Sequence, residues 1–354
     1  MSPLDQVLAL VRPDILALAP YSSARKEAKG GRVWLDANEN PETPAAHQPL
    51  FNRYPEPQPA NLLERLGVLY GVPVNQLLVT RGSDEGIDLL LRTFCRAGQD
   101  AILITPPTYG MYVVAAGIQG AAVVRVPLLR GKNYGLDVAA VLQAVTPAVK
   151  LVFLCSPNNP TGGLLGRAAV LEIVRALAGR AVVVVDEAYV DFADQPSLAT
   201  EIPANPNLVV LRTLSKAFGL AGARVGTTIA DPAVIAILQK VIAPYPIPAP
   251  VLLAALAALA PEGLEAARAS VGQLIRERNR LMSALAGLPV VQRVWPSDTN
   301  YILIEVPDGP KLMAAARAAG IVWRDRSKDV PNSIRITVGT AEENAQTLEV
   351  LSRG

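Results

Sequence analysis

The chain has few of the residues that most often build metal centres and disulfide frameworks. Its 354 residues include one histidine, His47, and two cysteines, Cys95 and Cys155. A single histidine leaves no histidine-based triad and no multi-histidine site to expect, so we predict no bound metal. Two cysteines cannot form a disulfide framework, and this composition favours a reducing, cytoplasmic location.

Charge excess and long apolar segments are also missing. The 33 Lys and Arg nearly balance the 31 Asp and Glu, for a net charge of +2, and without a basic cluster this argues against a nucleic-acid partner. The longest apolar run, Val251 to Ala260, is well short of the roughly 20 residues of a membrane helix, so no membrane partner is expected. Residues 1–20 lack the basic and apolar regions of a signal peptide.

The remaining composition is that of a large folded protein. Hydrophobic residues make up 51% of the chain and charged residues 18%, which excludes disorder and allows an extensive core. The length predicts two domains, or one large domain with an appendage.

Short β-branched runs alternate with helical patterns through the middle of the chain. The predicted strands are Leu77–Thr80, Ala101–Thr105, Lys150–Cys155, Ala181–Val185 and Leu208–Leu211. Helical patterns such as Glu85–Cys95 and Arg167–Ala178 lie between them. This alternation predicts right-handed crossovers and a mostly parallel sheet flanked by helices, the α/β class. The strand Ala181–Val185 is apolar throughout, so helices should cover both of its faces.

The sequence pattern changes near residue 243. Pro244, Pro246, Pro248 and Pro250 interrupt regular structure and predict a hinge. A helical stretch to about Leu285 follows, and after it come a strand Tyr301–Val306, a helix Pro310–Ala319 and a strand Ser333–Val338. We therefore expect an N-terminal arm (1–33), a large α/β domain (34–247) and a smaller α+β domain (248–354).

Polar, reactive side chains follow several of the predicted strands. Ser156–Gly162, Asp186–Tyr189 and Arg212–Lys216 each begin where a strand ends. Ligands of open parallel sheets bind outside the carboxyl ends of the strands. The sequence therefore predicts one pocket shared by these segments.

One candidate phosphate site is the segment Arg81–Gly86, which follows a strand and opens a helix. Gly82 permits a tight turn, and the first helical amides then point outward, ready for an anion. The alternative is an ordinary helix start, capped by Ser83 and favoured by the charges of Asp84 and Glu85. No G-x-G-x-x-G or G-x-x-x-x-G-K-[ST] motif occurs, which disfavours a dinucleotide or P-loop site.

A second candidate region surrounds Lys216. Apolar neighbours destabilise an ammonium group and favour a neutral, nucleophilic amine, although a lone lysine is more often a surface residue with a packed stem. Thr213 and Ser215 lie just upstream of this lysine, and Arg224 lies in a glycine-flanked turn downstream. Hydroxyls and an arginine are suited to the other half of a phosphate site.

Asp186 ends the most apolar strand and needs a positive partner there. Either a protonated pyridine nitrogen or an arginine of a structural ion pair would serve. Asn159 and Tyr189 are each able to bond a phenolic oxygen, although Asn-Pro is also a common turn. Taken together with Lys216, these residues describe a site for pyridoxal 5′-phosphate bound through a lysine.

Motifs along nearly the whole chain resemble the fold-type I aminotransferases and, within them, the histidinol-phosphate aminotransferase family. The matching segments are Tyr21–Arg25, Asp36–Pro41, Arg53–Pro59, Arg81–Gly86, Pro106–Tyr112, Ser156–Gly162, Asp186–Phe192, Arg212–Arg224, Trp323–Arg326 and Ile334–Gly339. The central segments are highly specific for the superfamily. The set Tyr21, Tyr54, Arg324 and Arg335 narrows the resemblance to one family within it, though less sharply. The resemblance implies fold type I, pyridoxal 5′-phosphate as cofactor and a homodimer.

The resemblance also implies roles for individual residues. Lys216 would bind the cofactor covalently and later move a proton, and Asp186 would keep the pyridine nitrogen protonated. Asn159 and Tyr189 would hold the ring oxygen, and Tyr109 would stack on the ring. The implied phosphate ligands are Arg224, Thr213, Ser215 and the backbone at Ser83 and Asp84, with Tyr54 reaching over from the partner subunit. The implied substrate ligands are Tyr21, Asn38, Arg324 and Arg335.

The arginines bear on the choice of substrate. Arg335 can fork to a carboxylate or to a phosphate, and a second arginine, Arg324, suits a dianionic phosphate. The alternative is that Arg324 and Arg326 are solvated loop charges paired with Asp325 and Asp329. The stretch between Arg324 and Arg335 looks shorter than in some members, which leaves the shape of that pocket edge open.

Competing functions are an aromatic amino-acid aminotransferase, a threonine-phosphate decarboxylase and, outside the enzymes, a ligand-binding regulator on an inactive transaminase fold. The regulator would be expected to lack the lysine or to carry a DNA-binding module. The presence of Lys216, Asp186 and Asn159 disfavours it.

Overall fold

The computed structural model of the chain describes residues 2–19, 35–42 and 51–353. Two short helices, α1 (Pro3–Leu8) and α2 (Pro13–Leu16), open the chain, and Ser2 and Asp5 form a reciprocal capping box on the first. Val7 and Val11 are buried in the core beneath the large sheet. Residues 20–34 lie outside the described residues, so the arm over 1–33 stays a prediction.

In the described part of the chain, the larger of two sheets has seven strands. They are β1 (Leu77–Thr80), β2 (Ala101–Ile104), β3 (Ala122–Arg125), β4 (Val149–Cys155), β5 (Val182–Asp186), β6 (Leu208–Thr213) and β7 (Gly226–Ile229). Their order is β1-β7-β6-β5-β4-β2-β3, and β7 alone runs antiparallel to its neighbours. The predicted mostly parallel sheet is thereby confirmed, and the predicted strands agree with the observed ones to within two residues.

Helices cover both faces of this sheet. They are α3 (Ala60–Tyr70), α4 (Ser83–Phe94), α5 (Met111–Gln119), α6 (Val138–Ala144), α7 (Arg167–Ala176) and α8 (Pro232–Val241). Short 3-10 helices span Val74–Gln76, Arg130–Lys132, Val190–Phe192, Leu198–Ala204 and Ala221–Ala223. In β5, Val183 and Val185 join one apolar core and Val182 and Val184 join the other. The expectation that this strand is buried on both faces is confirmed.

Two strands of the large sheet were not predicted. Strand β3 is at the sheet edge and only partly buried, so its sequence carries little apolar signal. Strand β7 reads Gly-Thr-Thr-Ile, and the buried hydroxyls of Thr227 and Thr228 disguise it as a loop. Gly226 is required there because a Cβ at this position would lie 2.3 Å from the carbonyl carbon of Gly82.

The smaller sheet is antiparallel. Its strands are β8 (Arg293–Val294), β9 (Tyr301–Glu305), β10 (Arg324–Asp325) and β11 (Ser333–Thr337), in the order β10-β11-β9-β8. The C-terminal helices are α9 (Ala249–Ala258), α10 (Pro261–Ala286), α11 (Gly309–Ala318) and α12 (Ala341–Ser352). Helices α10, α11 and α12 pack on one face of the sheet in a core of their own, which confirms the smaller α+β unit.

The segment rich in proline separates α8 from α9, as expected for a break in regular structure. However, Ala255 and Leu259 join the core of the large sheet, whereas Leu281 and Leu285 join that of the small sheet. By packing, the change of core falls between α9 and α10. The domain boundary at 247/248 remains a prediction.

Within the described residues, no single helix has the length and apolarity needed to cross a bilayer. Helices α9 and α10 pass such a test only as a pair, bent by 70° at their junction.

The second face of the small sheet packs against the large domain. Trp295, Leu303 and Val330 join the core of the large sheet. Glu305 of β9 accepts hydrogen bonds from Trp295 Nε1, at 2.8 Å, and from Arg130 Nη2, at 2.7 Å. Because Arg130 belongs to the large domain, these contacts fix the small sheet beside the carboxyl ends of the large one.

Candidate active site

A cleft of about 480 Å³ opens at the carboxyl ends of β4, β5 and β6. Its lining residues are Ser83, Asp84, Tyr109, Cys155, Asn159, Asp186, Ala188, Tyr189, Thr213, Ser215, Lys216 and Arg224. The cleft therefore brings together every residue predicted for the cofactor except Tyr54. The lining positions that the sequence reasoning missed are Cys155 and Ala188.

Lys216 lies just after β6 and is half-buried. Its Nζ is 5.7 Å from the centre of the Tyr189 ring. Burial lowers the pKa of Lys216, and the positive charge of Arg335 lowers it further. A fully solvated surface lysine would keep its ammonium form, so this setting favours an amine that can act as a nucleophile and as a base.

Asp186 ends β5 with a side chain that is almost fully buried. Its Oδ2 accepts a hydrogen bond from Tyr112 Oη at 2.8 Å, and its Oδ1 accepts one from the N–H of Ala188 at 3.1 Å. No lysine or arginine of the described ranges forms an ion pair with it. Burial raises the pKa of Asp186 to about 6. A buried carboxylate of this kind is costly unless a cation binds beside it.

The N-terminus of α4 forms one wall of the cleft. Gly82 is the N-cap and no side chain caps the helix, so the alternative in which Ser83 caps it is wrong. The free amides at this end attract anions. Gly82 has a φ of +76°, and a Cβ there would lie 2.5 Å from Arg224 Nη2. The positive φ of this turn therefore requires glycine, and the guanidinium of Arg224 occupies the space where a Cβ would lie.

Arg224 faces this helix from the opposite turn. Its backbone is left-handed, with a φ of +56°, a conformation that non-glycine residues adopt mainly where function or tight packing demands it. Its guanidinium donates to the carbonyl of Ala221 at 3.0 Å and to Ser215 Oγ at 3.4 Å. Thr213 Oγ1 lies 2.9 Å from Ser215 Oγ. Hydroxyl, guanidinium and amide donors thus converge on one end of the cleft.

Asp84 links two of the lining residues. Its carboxylate accepts a hydrogen bond from Tyr109 Oη at 3.0 Å and pairs with Arg224 Nη2 at 3.2 Å. From the sequence, the charge of Asp84 is expected only to favour the helix start, and its backbone to bind phosphate. The carboxylate orients the predicted ring-stacking residue and the predicted phosphate ligand together.

Arg335 lies at the other end of the cleft, on β11. Its Nη1 donates to Asn159 Oδ1 at 2.6 Å, and its guanidinium lies 5.0 Å from the centre of the Tyr301 ring. Tyr301 in turn packs edge-on against Tyr189 at 5.2 Å. Nothing in the described ranges accepts a hydrogen bond from the buried Nε of Arg335. A cation with unused donors therefore stands next to the residues around Lys216.

The neighbouring strand adds further positive charge. Arg324 of β10 pairs in register with Arg335 of β11, and its side chain is exposed. Arg326 forms an ion pair with Asp329 at 2.9 Å, as the loop-charge alternative expects, but it is only 16% exposed and so is not a solvated charge. Burial lowers the pKa of Arg326, and Arg335 and Arg324 lower it further. A bound anion would reduce the repulsion among Arg324, Arg326 and Arg335.

Other predicted residues do not line the cleft within one chain. Tyr54 is half-exposed, stacks on Tyr245 at 4.6 Å, and lines a separate surface cavity together with Asn38. Tyr21 lies outside the described residues. In the part of the chain that the structure describes, no group of three or more His, Cys, Asp or Glu is placed to hold a metal ion.

Comparisons with known proteins agree with this geometry. The sequence model of the family described as aminotransferase class I and II matches residues 25–351. The chain is 49% identical to the histidinol-phosphate aminotransferase of Stenotrophomonas maltophilia (99% of this chain, 97% of the relative) and 44% identical to histidinol-phosphate aminotransferase 1 of Pasteurella multocida (98% and 99%). A solved histidinol-phosphate aminotransferase from Sinorhizobium meliloti, in complex with pyridoxal-5′-phosphate, shares the fold with a TM-score of 0.76 and 24% identity over 85% of this chain and 82% of that one. The chain belongs to the class I and II aminotransferase family.

Proposed function

We propose that this protein is a histidinol-phosphate:2-oxoglutarate aminotransferase of histidine biosynthesis, an amino-acid biosynthetic transferase. It would interconvert imidazole acetol phosphate plus glutamate with histidinol phosphate plus 2-oxoglutarate. The names of relatives that are 44% and 49% identical over nearly the full chain support this substrate. The observation that carries the proposal is the cleft itself, where Lys216, Asp186 and the phosphate-binding groups lie together beside Arg335.

Pyridoxal 5′-phosphate is the cofactor of this family, and the residues of the cleft fit it. The buried, unpaired carboxylate of Asp186 matches a pyridinium nitrogen, and the uncapped end of α4 beside Arg224 matches a phosphate. When bound, the cofactor supplies an electron sink for electrons released at the substrate α-carbon. The residues that would hold it are Ser83, Asp84, Tyr109, Asn159, Asp186, Tyr189, Thr213, Ser215, Lys216 and Arg224.

Proton transfer falls to Lys216, which we assign as the catalytic base, with Asp186 and Tyr189 as the other catalytic residues. Its lowered pKa leaves a larger neutral fraction of Nζ, able to take a proton from the substrate α-carbon and return it. Asp186 would keep the pyridine nitrogen protonated. Tyr189, whose pKa is raised by burial, stays a hydroxyl donor beside Lys216.

Substrate binding is assigned to the arginine side of the cleft. The buried Nε of Arg335 has no acceptor among the residues that the structure describes, and Arg324 lies across from Arg335 on the adjacent strand. Two guanidinium groups suit the dianionic phosphate of the donor, and Arg335 alone suits a carboxylate of glutamate. Tyr21 and Asn38 complete the proposed substrate set.

The proposed assembly is a cytoplasmic homodimer that shares its active sites. Tyr54 and Asn38 line a cavity on the surface of one chain, and the exposed ring of Phe51 borders the same cavity. A second copy docked there would place Tyr54 at the phosphate of its partner's cofactor. Small molecules are the other proposed partners.

The test is an amino-donor panel scored by the glutamate formed from 2-oxoglutarate. Histidinol phosphate, phenylalanine, tyrosine and threonine phosphate are compared at equal concentrations, with purified Lys216→Ala protein as the control. Histidinol phosphate should be the best donor. A better unphosphorylated aromatic donor, or carbon dioxide release from threonine phosphate, would replace the proposed function with one of its rivals.

A further inference from the structure

Tyr112 lies outside the set of residues assigned to the cofactor, yet it contacts Asp186 directly. Its Oη donates a hydrogen bond of 2.8 Å to Asp186 Oδ2. The side chains are 0% and 2% exposed, respectively. Both side chains are thus largely shielded from bulk water, and the tyrosine hydroxyl is a donor that stabilises the negative charge of this oxygen.

The ring of Tyr112 is fixed on two sides. It is stacked on Phe153 of β4, with ring centres 4.8 Å apart, and it meets Tyr109 edge-on at 5.6 Å. This packing holds the hydroxyl of Tyr112 in one position relative to the end of β5. Burial and the charge of Asp186 raise the pKa of Tyr112 well above its usual value, so the group remains a proton donor.

The carboxylate of Asp186 has one other hydrogen-bond donor among the described residues, the N–H of Ala188 on Oδ1. A carboxylate offers about four acceptor positions, so two bonds leave capacity for a further donor. We propose that Tyr112 is a positioning residue, whose hydroxyl fixes the direction of Asp186 and keeps that carboxylate ionised beside the pyridine nitrogen. The inference rests on the proposed pairing of Asp186 with the cofactor and does not depend on which amino donor is used.

Titratable groups face Asp186 from every element around it. They are Asp84 of α4, Tyr109 before α5, Tyr112 in α5, Cys155 of β4, Tyr189 after β5 and Lys216 after β6. Burial raises the pKa of Asp186 to about 6, and the hydrogen bond from Tyr112 is the largest effect in the opposite direction. Loss of this bond should therefore raise the pKa further. A carboxylate is ionised above its pKa, so the ionised form would then be lost at a higher pH.

The experiment compares Tyr112→Phe with wild-type holoenzyme. The change removes one oxygen and keeps the stacked ring. Tyr70→Phe is the matched control, because Tyr70 is also buried and does not line the cleft. The readouts are the pH dependence of the cofactor's visible absorption, the affinity of the apoprotein for pyridoxal 5′-phosphate, and kcat and KM.

In Tyr112→Phe, the acid-side midpoint of the absorption change should move to higher pH, and cofactor affinity should fall about tenfold. The value of kcat should fall about 10- to 100-fold with little change in KM, because the variant does not touch Arg335. Tyr70→Phe should match wild type in all three readouts. Tyr112→His, which restores a ring donor, should move the midpoint back toward wild type.

Asp186→Asn separates this inference from the proposed function. If Asp186→Asn leaves the spectrum and cofactor affinity unchanged, the pairing with the pyridine nitrogen is overturned. If Asp186→Asn is damaging but Tyr112→Phe behaves like Tyr70→Phe, only the role of Tyr112 is overturned. In the Asp186→Asn background, adding Tyr112→Phe should cost less than about twofold in affinity. An equal loss in both backgrounds would mean that Tyr112 acts through packing alone.

Discussion

The two ends of the cleft are built in different ways. The end at Lys216 and Arg224 consists of turns beside the buried strands β6 and β7, and its side chains hydrogen-bond to one another. The end at Arg335 belongs to a small antiparallel sheet, and Arg324 beside it is exposed. A ligand that remains bound is served by a preorganised site. Substrates that alternate need an end that stays open to solvent.

The largest effect should come from the end at Lys216. Lys216→Ala should lower glutamate formation by more than about 100-fold, because the amine that moves the proton is gone. The exposed Lys132 is the matched control, and Lys132→Ala should retain activity. In wild type, borohydride should fix the cofactor to the single peptide containing Lys216. Labelling of a different lysine would contradict the assignment.

At the open end, losses should be smaller and selective. A charge-assisted hydrogen bond is worth roughly 1.5–3 kcal/mol, so Arg324→Ala should lower kcat/KM for histidinol phosphate about 10- to 200-fold. The same variant should affect glutamate much less in the reverse half-reaction, whereas Arg335→Ala should affect both substrates. Arg317→Ala, on the exposed side of α11, is the control. Equal losses for both substrates in Arg324→Ala would refute the phosphate assignment.

A subunit-mixing experiment tests whether one chain supplies the whole active site. Tyr54→Ala should weaken cofactor retention, since Tyr54 would reach the phosphate of the partner's cofactor. Mixing Tyr54→Ala with Lys216→Ala subunits should build one site with both lesions and one with neither. If each variant alone is inactive, the mixture should recover part of the activity. No recovery after confirmed subunit exchange would place the action of Tyr54 within its own chain.

The smallest effect is expected at Asp84, whose ion pair with Arg224 is partly exposed. Exposed pairs are worth about 0.2–1 kcal/mol, so Asp84→Asn should weaken cofactor retention about two- to fivefold. The measurement is the dissociation constant for pyridoxal 5′-phosphate, with Asp88→Asn on the same helix as control. Tighter binding in Asp84→Asn would mean that the carboxylate repels the phosphate more than it orders Arg224.

The sequence predicts the fold best where one signal dominates. Strand β5 is apolar at every position, and both of its faces are buried as expected. Strand β7 escaped prediction because its threonines and Gly226 carry no apolar alternation, and its burial depends on neighbours distant in the chain. Local sequence patterns also suggest Ser83 as the N-cap, but Ser83 is the first residue of α4 and Gly82 is the N-cap.

The candidate site also contains residues that the sequence predicts and residues that it does not. Residues at strand ends, such as Lys216 and Asp186, can be named from the sequence because topology brings strand ends together. The links made by Asp84 and Tyr112 cannot be read this way, since Asp84 meets Arg224 across 140 positions and Tyr112 meets Asp186 across 74. Such contacts depend on side-chain packing that no short motif encodes.

Gly226 constrains the end of the cleft at Lys216 although it does not line the cleft. A Cβ there would lie 2.3 Å from the carbonyl carbon of Gly82 and 2.5 Å from the amide nitrogen of Ser83. The start of β7 and the turn at Gly82 are thus one steric unit. In a saturation scan scored by cofactor retention, Gly226 should tolerate as little variation as a residue that contacts the cofactor. A replacement of Gly226 during evolution would have to be accompanied by a change at Gly82.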